Sequence, residues 1–87
     1  MYTDYYSEEI TKKLAKLKKK DSAHYYVIDR KIKWILDNPE KKFKDLHYSM
    51  KGIKRIHIRH FVLVFIIDRV KRIVSFEDYD HHDKVYR

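Results

Sequence analysis

Eighty-seven residues make one domain at most, and a chain of that length buries only about 60–65% of the surface its unfolded form exposes, so one small core is all it can hold. Its 21 Lys and Arg against 13 Asp and Glu leave a formal charge of +8, an excess that favours polyanions such as nucleic acid or acidic protein segments. With no cysteine and one glycine, the chain excludes disulfides, thiolate metal sites, cysteine nucleophiles and glycine-rich phosphate cradles. Hydrophobic residues at 44% and aromatics at 15% are too abundant for a disordered basic tail, so the chain folds. The longest apolar run, Phe61 to Ile67, is far short of the ~20 residues that cross a bilayer, and MYTDYYSEEI lacks the basic start and apolar stretch of a signal peptide. The expectation is a cytoplasmic protein with no membrane contact.

In chain order, YTDYY is an expected edge strand. Ser7 followed by Glu8 and Glu9 has the form of a helix start, with the hydroxyl as cap and the acids at the positive end of the dipole. Ile10, Leu14 and Leu17 then recur at helical spacing, while Lys12, Lys13, Lys16, Lys18, Lys19 and Lys20 fill the outer face. Asp21 and Ser22 break that pattern and offer caps for a second helix, carried by Tyr25, Ile28, Ile32, Ile35 and Leu36 up to Asn38-Pro39. So short a break predicts an antiparallel helical hairpin. Glu40 to Gly52 has weak periodicity and is expected to be a connection holding a short strand or turn.

After Gly52 the period changes to two. In IKRIHIRH, Ile56 and Ile58 face one way and Arg55, His57 and Arg59 the other, which predicts a strand with a dry and a cationic face. FVLVFII is a continuous β-branched and aromatic run expected at the sheet centre. Asp68-Arg69 supplies a short turn, and Val70 to Tyr79 a third strand. Helices first and a meander afterwards give an α+β domain over residues 1–87: an N-terminal helical hairpin packed on a small antiparallel sheet.

Charge is distributed unevenly. Leu46 to Ile67 contains no acid, yet it carries Lys51, Lys54, Arg55 and Arg59 with His47, His57 and His60. Alternate strand positions lie roughly 7 Å apart, close to the spacing of phosphates along a single strand, so Arg55, His57 and Arg59 suit a backbone-binding surface. The tail DYDHHDKVYR concentrates imidazole, carboxylate, phenol and guanidinium. Those groups suit RNA phosphodiester cleavage, which needs a base for the ribose 2′-OH, cations for the phosphate and an acid for the 5′-oxygen. A metal site is the weaker alternative: His57 and His60 are three apart on a strand and diverge, as do adjacent His81 and His82 if extended. For the lysines of the first helix, the alternative is a solvated face.

The stretch LHYSMKGIKRIHIRHFVLVFIIDRVKRIVSFEDYDHHDKVYR resembles the C-terminal half of RelE-type toxins of toxin–antitoxin systems, especially archaeal ones. The resemblance lies in Leu46 before Lys51-Gly52, the basic strand Arg55 to Arg59, the apolar strand ending Phe65-Ile66-Ile67-Asp68, and the closing His-His-Asp-x-x-Tyr; KKLAKLKKKD and IKWILDNPEKKFKDL resemble the family's helical hairpin. It implies a toxin that enters the ribosomal A site and cuts mRNA by attack of the 2′-OH on the adjacent phosphate, with no metal or cofactor. It further implies that Lys54 and Arg55 bind the mRNA backbone and that His57 lies near the scissile phosphate; Lys51 and Arg59 join the expected nucleic-acid-binding set as cations of the same acid-free segment. His81 is then the first candidate for proton transfer, His82 stands where many members have Arg, and Tyr86 stacks on the nucleotide or helps move a proton. Lys12, Lys13, Lys16, Lys19 and Lys20 would lie against ribosomal RNA. The implied partner is a RelB-like antitoxin, with a heterotetramer of two toxin–antitoxin pairs as one assembly it allows. The chain departs from the pattern at Val62, where many relatives carry Arg. The alternatives in this superfamily are a ParE-like gyrase-inhibiting toxin and a catalytically inactive basic RNA-binding relative.

Overall fold

The computed structural model describes residues 2–47 and 52–86. The elements run β1 (Thr3–Tyr6), α1 (Glu8–Lys20), α2 (Ser22–Asp37), β2 (Lys44–Asp45), β3 (Ile53–Ile58), β4 (Phe61–Asp68), β5 (Ile73–His81) and α3 (His82–Val85). Ser7 caps α1 as its sequence predicts, its Oγ accepting from the Ile10 N–H at 3.1 Å. Asp21 serves both helices: its N–H donates to the Leu17 carbonyl at the end of α1, and its Oδ1 accepts from the His24 N–H at the start of α2. One residue therefore turns the chain, and α2 ends at Asn38, directly before Pro39.

The sheet has five strands in the order β1-β5-β4-β3-β2. The meander β3-β4-β5 is antiparallel, as expected, and β2 joins it antiparallel at one edge. The expected N-terminal strand pairs parallel to β5 at the other edge, so the complete sheet is mixed. Ile10, Ile28, Ile32 and Ile35 of the hairpin pack with Ile58, Leu63, Phe65, Val74, Phe76 and Tyr79 of the sheet. Each such side chain contributes about 1.5–3 kcal/mol relative to exposure. Trp34, Phe43 and Phe65 meet edge to face at 5.9 and 5.1 Å between centroids, so the connection after α2 closes one end of this core.

Three departures from the expected elements bear on function. The last strand starts at Ile73 rather than Val70, because Asp68 Oδ1 accepts from the N–H groups of Val70 and Lys71 and folds that segment into a turn. Arg59 lies in the β3–β4 turn with φ +59°, so it leaves the strand face it was expected to share with Arg55 and His57. Between Val64 and Phe65 the register with β5 shifts: Val64 pairs with Asp78 and Phe65 with Phe76, leaving Glu77 as a bulge. Phe76 and Tyr79, three apart in sequence, consequently both face the core.

Candidate nucleic-acid cleavage site

The sheet face opposite the hairpin is built by strand alternation. Arg55 pairs with Val64 and Val64 with Asp78; His57 pairs with Val62 and Val62 with Asp80. These two rows share one face, and α3 follows directly, contacting β4 and β5. The His82 N–H donates to the His60 carbonyl at 2.9 Å, which anchors the start of α3 beside the β3–β4 turn.

The result is a chain of rings across three elements. The His57 and His82 rings stack at 5.6 Å with planes 27° apart. Tyr86, one turn beyond His82, lies 4.6 Å from the His82 ring, and His47, just after β2, meets Tyr86 edge to face at 5.3 Å. Arg55 Nη1 lies 3.4 Å from His57 Nδ1. A guanidinium only donates, so that contact requires His57 Nδ1 to be unprotonated. Arg55 Nε in turn donates to the Asp45 carbonyl at 3.0 Å, which fixes the guanidinium over the strand.

The electrostatics favour a neutral imidazole at position 57. Burial holds the His57 pKa below its ordinary value, and the charges of Arg55, His82 and Lys44 push the same way. His82 Nδ1 lies 3.6 Å from Asp83 Oδ1, an ion pair when that ring is protonated. The two rings therefore touch each other but differ in surroundings, cationic for His57 and carboxylate-flanked for His82.

The structure brings Arg55, His57, His82 and Tyr86 together, and it adds His47, which sequence reasoning counted among the histidines of the acid-free segment but gave no role. His81 stands apart. It ends β5 opposite Phe61 on the helix side of the sheet, its ring 5.5 Å from Phe61 and 6.4 Å from His60, and its Nδ1 accepts from the Asp83 N–H at 3.4 Å as the cap of α3. Lys54 alternates away from Arg55 and is held by Asp45 at 2.7 Å. Arg59 sits in its turn, and Lys51 lies outside the described residues.

On α1, Lys12, Lys16, Lys19 and Lys20 are exposed, Lys12 within 3.6 Å of Glu8. Lys13 is not part of that exposed row: its Nζ lies 2.7 Å from Asp78 and 2.8 Å from Asp80. A cleft of about 230 Å³ opens beside it between α1, Phe61 and Tyr79, away from the ring chain. Among the described residues no three His, Asp or Glu side chains converge as a metal ion would require, and no helix is long and apolar enough to cross a membrane.

No protein-family model matches the chain. It is 48% identical over 79 residues to a Methanosarcina mazei protein of unassigned function, covering 90% of this chain and 91% of that one. It is 38% identical over 88 residues to a Methanocaldococcus jannaschii protein named as a proposed toxin, RelE4, covering all of this chain and 93% of the relative. Among solved structures, the isolated E. coli RelE toxin superposes with a TM-score of 0.78 at 20% identity, over 93% of this chain and 84% of that one. The E. coli RelBE toxin–antitoxin complex matches at a TM-score of 0.74 and 20% identity, over 93% and 96%. At these identities the solved structures bear on the fold.

Proposed function

The chain belongs to the RelE-type toxins of toxin–antitoxin systems, and on that premise we propose that it is a ribosome-dependent mRNA endonuclease acting through the ring chain on the open sheet face. The observation that carries this is the stack of His57 on His82, with Arg55 and Tyr86 at its two ends. In the proposed step, neutral His57 takes the proton of the ribose 2′-OH through Nδ1, and the 2′-oxygen attacks the adjacent phosphorus. Arg55 passes from His57 to the phosphate and stabilises its added charge. Protonated His82 gives its proton to the departing 5′-oxygen, leaving a 2′,3′-cyclic phosphate and a 5′-hydroxyl. Tyr86 offers its ring to a base of the message. These groups supply base, acid and cation, so the step asks for no metal or cofactor.

Proton transfer thus passes from His81, the expected first candidate, to His82. The exposed Lys12, Lys16, Lys19 and Lys20 give the opposite side of the molecule a cationic face suited to ribosomal RNA, and the ribosome supplies the geometry that a small open site lacks. The E. coli relative is known in complex with its RelB antitoxin, and the +8 charge here fits a RelB-like antitoxin whose acidic segment orders on binding, in a heterodimer or in a pair of them.

Expressing the chain and mapping 5′ ends on translated messages tests this. Cuts at codon-fixed positions bearing 5′-hydroxyls are expected, and co-expression of an antitoxin from the neighbouring reading frame should abolish them. Growth arrest with intact messages would overturn the proposal, and DNA damage under those conditions would identify a gyrase-directed toxin instead.

A further inference from the structure

The open face carries two carboxylates that a phosphate-binding surface does not want. Asp78 and Asp80 occupy the same two rows as Arg55 and His57, separated from them only by Val64 and Val62. With strands about 4.8 Å apart, each acid lies roughly 10 Å from its cationic counterpart, inside the reach of an incoming phosphodiester. Their charge is met from the other side of the sheet. Lys13, on α1, reaches past the edge of β5 that β1 leaves unpaired after Phe76. Its Nζ lies 2.7 Å from Asp78 Oδ1 and 2.8 Å from Asp80 Oδ2, with Glu9 at 3.7 Å. The second oxygen of Asp80 accepts from the His81 N–H at 2.7 Å, and Asp78 Oδ1 also accepts from the Tyr79 N–H at 2.8 Å. Both carboxylates are therefore held at the helix-side rim, where Lys13 and Asp80 line the cleft beside Phe61 and Tyr79.

We infer that Lys13 is a positioning residue: it draws Asp78 and Asp80 off the RNA-facing side of the sheet and offsets part of their charge, so that Arg55 and His57 meet the message without either of these carboxylates beside them. Rather than contacting ribosomal RNA with the other lysines, it faces inward. Burial works against the Lys13 charge, yet the two carboxylates outweigh it and raise its pKa to about 12. Asp80 responds in the same sense: burial opposes its charge, but Lys13 and the His81 N–H hold its carboxyl below the ordinary range.

A simple tie between α1 and β5 would predict lost stability alone. The charge role predicts more, because without Lys13 the acids gain the freedom to act on His57. The charged groups acting on His57 are Arg55 on its own strand, Lys44 on β2 and His82 on α3, with Asp83 and Tyr86 against His82 in turn; β4 sets Val62 and Val64 on this face, and β5 sets Asp78 and Asp80. Uncovering one net negative charge at roughly 10 Å should raise the His57 pKa by about 0.3–0.6 pH units at low salt. The same charge should weaken RNA binding about two- to fourfold, mainly in KM.

The inference rests on the proposed endonuclease, so its test has an arm that needs no activity. Lys13→Met, Lys13→Arg and the triple variant Lys13→Met with Asp78→Asn and Asp80→Asn are compared with the parent chain at low salt. Histidine titration by NMR, thermal melting and cleavage of a ribosome-bound message are measured for each. Expected are a raised His57 pKa and raised KM in Lys13→Met, near-parental values in Lys13→Arg, and recovery of both in the triple variant although its melting temperature stays low. If the triple variant is as impaired as Lys13→Met, Lys13 is a structural tie and the inference fails. An unchanged His57 titration in Lys13→Met overturns it as well. A parent chain that cuts no message removes the endonuclease proposal, while the titration still decides the role of Lys13.

Discussion

The imidazole of His57, on β3, stacks on that of His82, the first residue of α3, at 5.6 Å, while neighbouring His81 points to the other side of the sheet against Phe61. Two adjacent histidines are thereby placed on opposite sides of the sheet. Replacing His82 with Ala should lower cleavage at least about 10²-fold, the usual worth of a positioned acid or base. Replacing His81 with Asn, which keeps a side chain able to cap α3, should leave cleavage within a few-fold. Cleavage of a translated message by the two purified variants checks this; a severe defect in His81→Asn with a mild one in His82→Ala would reverse the assignment.

That His82 rather than His81 stands beside His57 comes down to Glu77. An unbroken alternation from Val74 and Phe76 in the core would set Tyr79 and His81 on the open face. The bulge at Glu77 advances the pattern by one, so Tyr79 joins Phe76 in the core and His81 goes with it. Nothing local in SFEDYDHH announces that bulge. It is stabilised from far away, by the Ser7 hydroxyl donating to the Glu77 carbonyl at 2.6 Å. The helices, their caps at Ser7 and Asp21, and the meander were legible because periodicity and capping are local. The departure of Arg59 from the strand face is not legible locally, because a two-residue turn with φ +59° carries no glycine to mark it. The place of His47 is likewise not legible, because its ring partner, Tyr86, lies near the far end of the sequence.

The pH dependence of cleavage should report His57. Burial first, and then Arg55, His82 and Lys44, hold its pKa below the ordinary 6.5. A base acts only when unprotonated, so the acid limb of the pH–rate profile should have its midpoint under 6.5. Arg55→Met removes one of the opposing charges and should move that midpoint to higher pH, in addition to lowering the rate. The sign for stability is the same: the unfolded chain takes up this proton more readily than the folded one. The contribution of His57 is thus present above pH 6.5 and is lost as pH falls through its folded value. A pH–rate profile of kcat/KM for both proteins checks the shift.

Inside the core, His24 and Tyr79 form a polar pair whose two residues are 7% and 4% exposed, with Nε2 and the phenol oxygen 2.8 Å apart. Tyr79 also stacks on Phe61 at 5.2 Å, so the pair fixes the end of the sheet from which α3 departs. Tyr79→Phe keeps the ring and strands the imidazole nitrogen, which should cost about 1–3 kcal/mol. On a domain of this size that is a fall of roughly 4–20 °C in melting temperature. Combining it with His24→Phe removes both partners and should recover part of the loss. Calorimetry of the two single variants and the double variant gives the coupling directly.

Ser7 joins the helix layer to the bulge with a single hydroxyl. Its Oγ accepts from the Ile10 N–H at 3.1 Å as the cap of α1 and donates to the Glu77 carbonyl at 2.6 Å, while its backbone N–H donates to the Phe76 carbonyl at 2.9 Å. Ser7→Ala deletes the cap and leaves the bulge carbonyl without that donor, for a combined loss of about 1–3 kcal/mol. Ser7→Thr retains both bonds and should lose far less. Because the bulge decides which tail histidine meets His57, Ser7→Ala should also loosen the ring stack. Denaturant melts measure the first effect. Proton exchange or chemical-shift changes at His57 and His82, more than 45 residues from the substitution, measure the second; a variant that loses stability with those resonances unmoved would show that the bulge holds its register without Ser7.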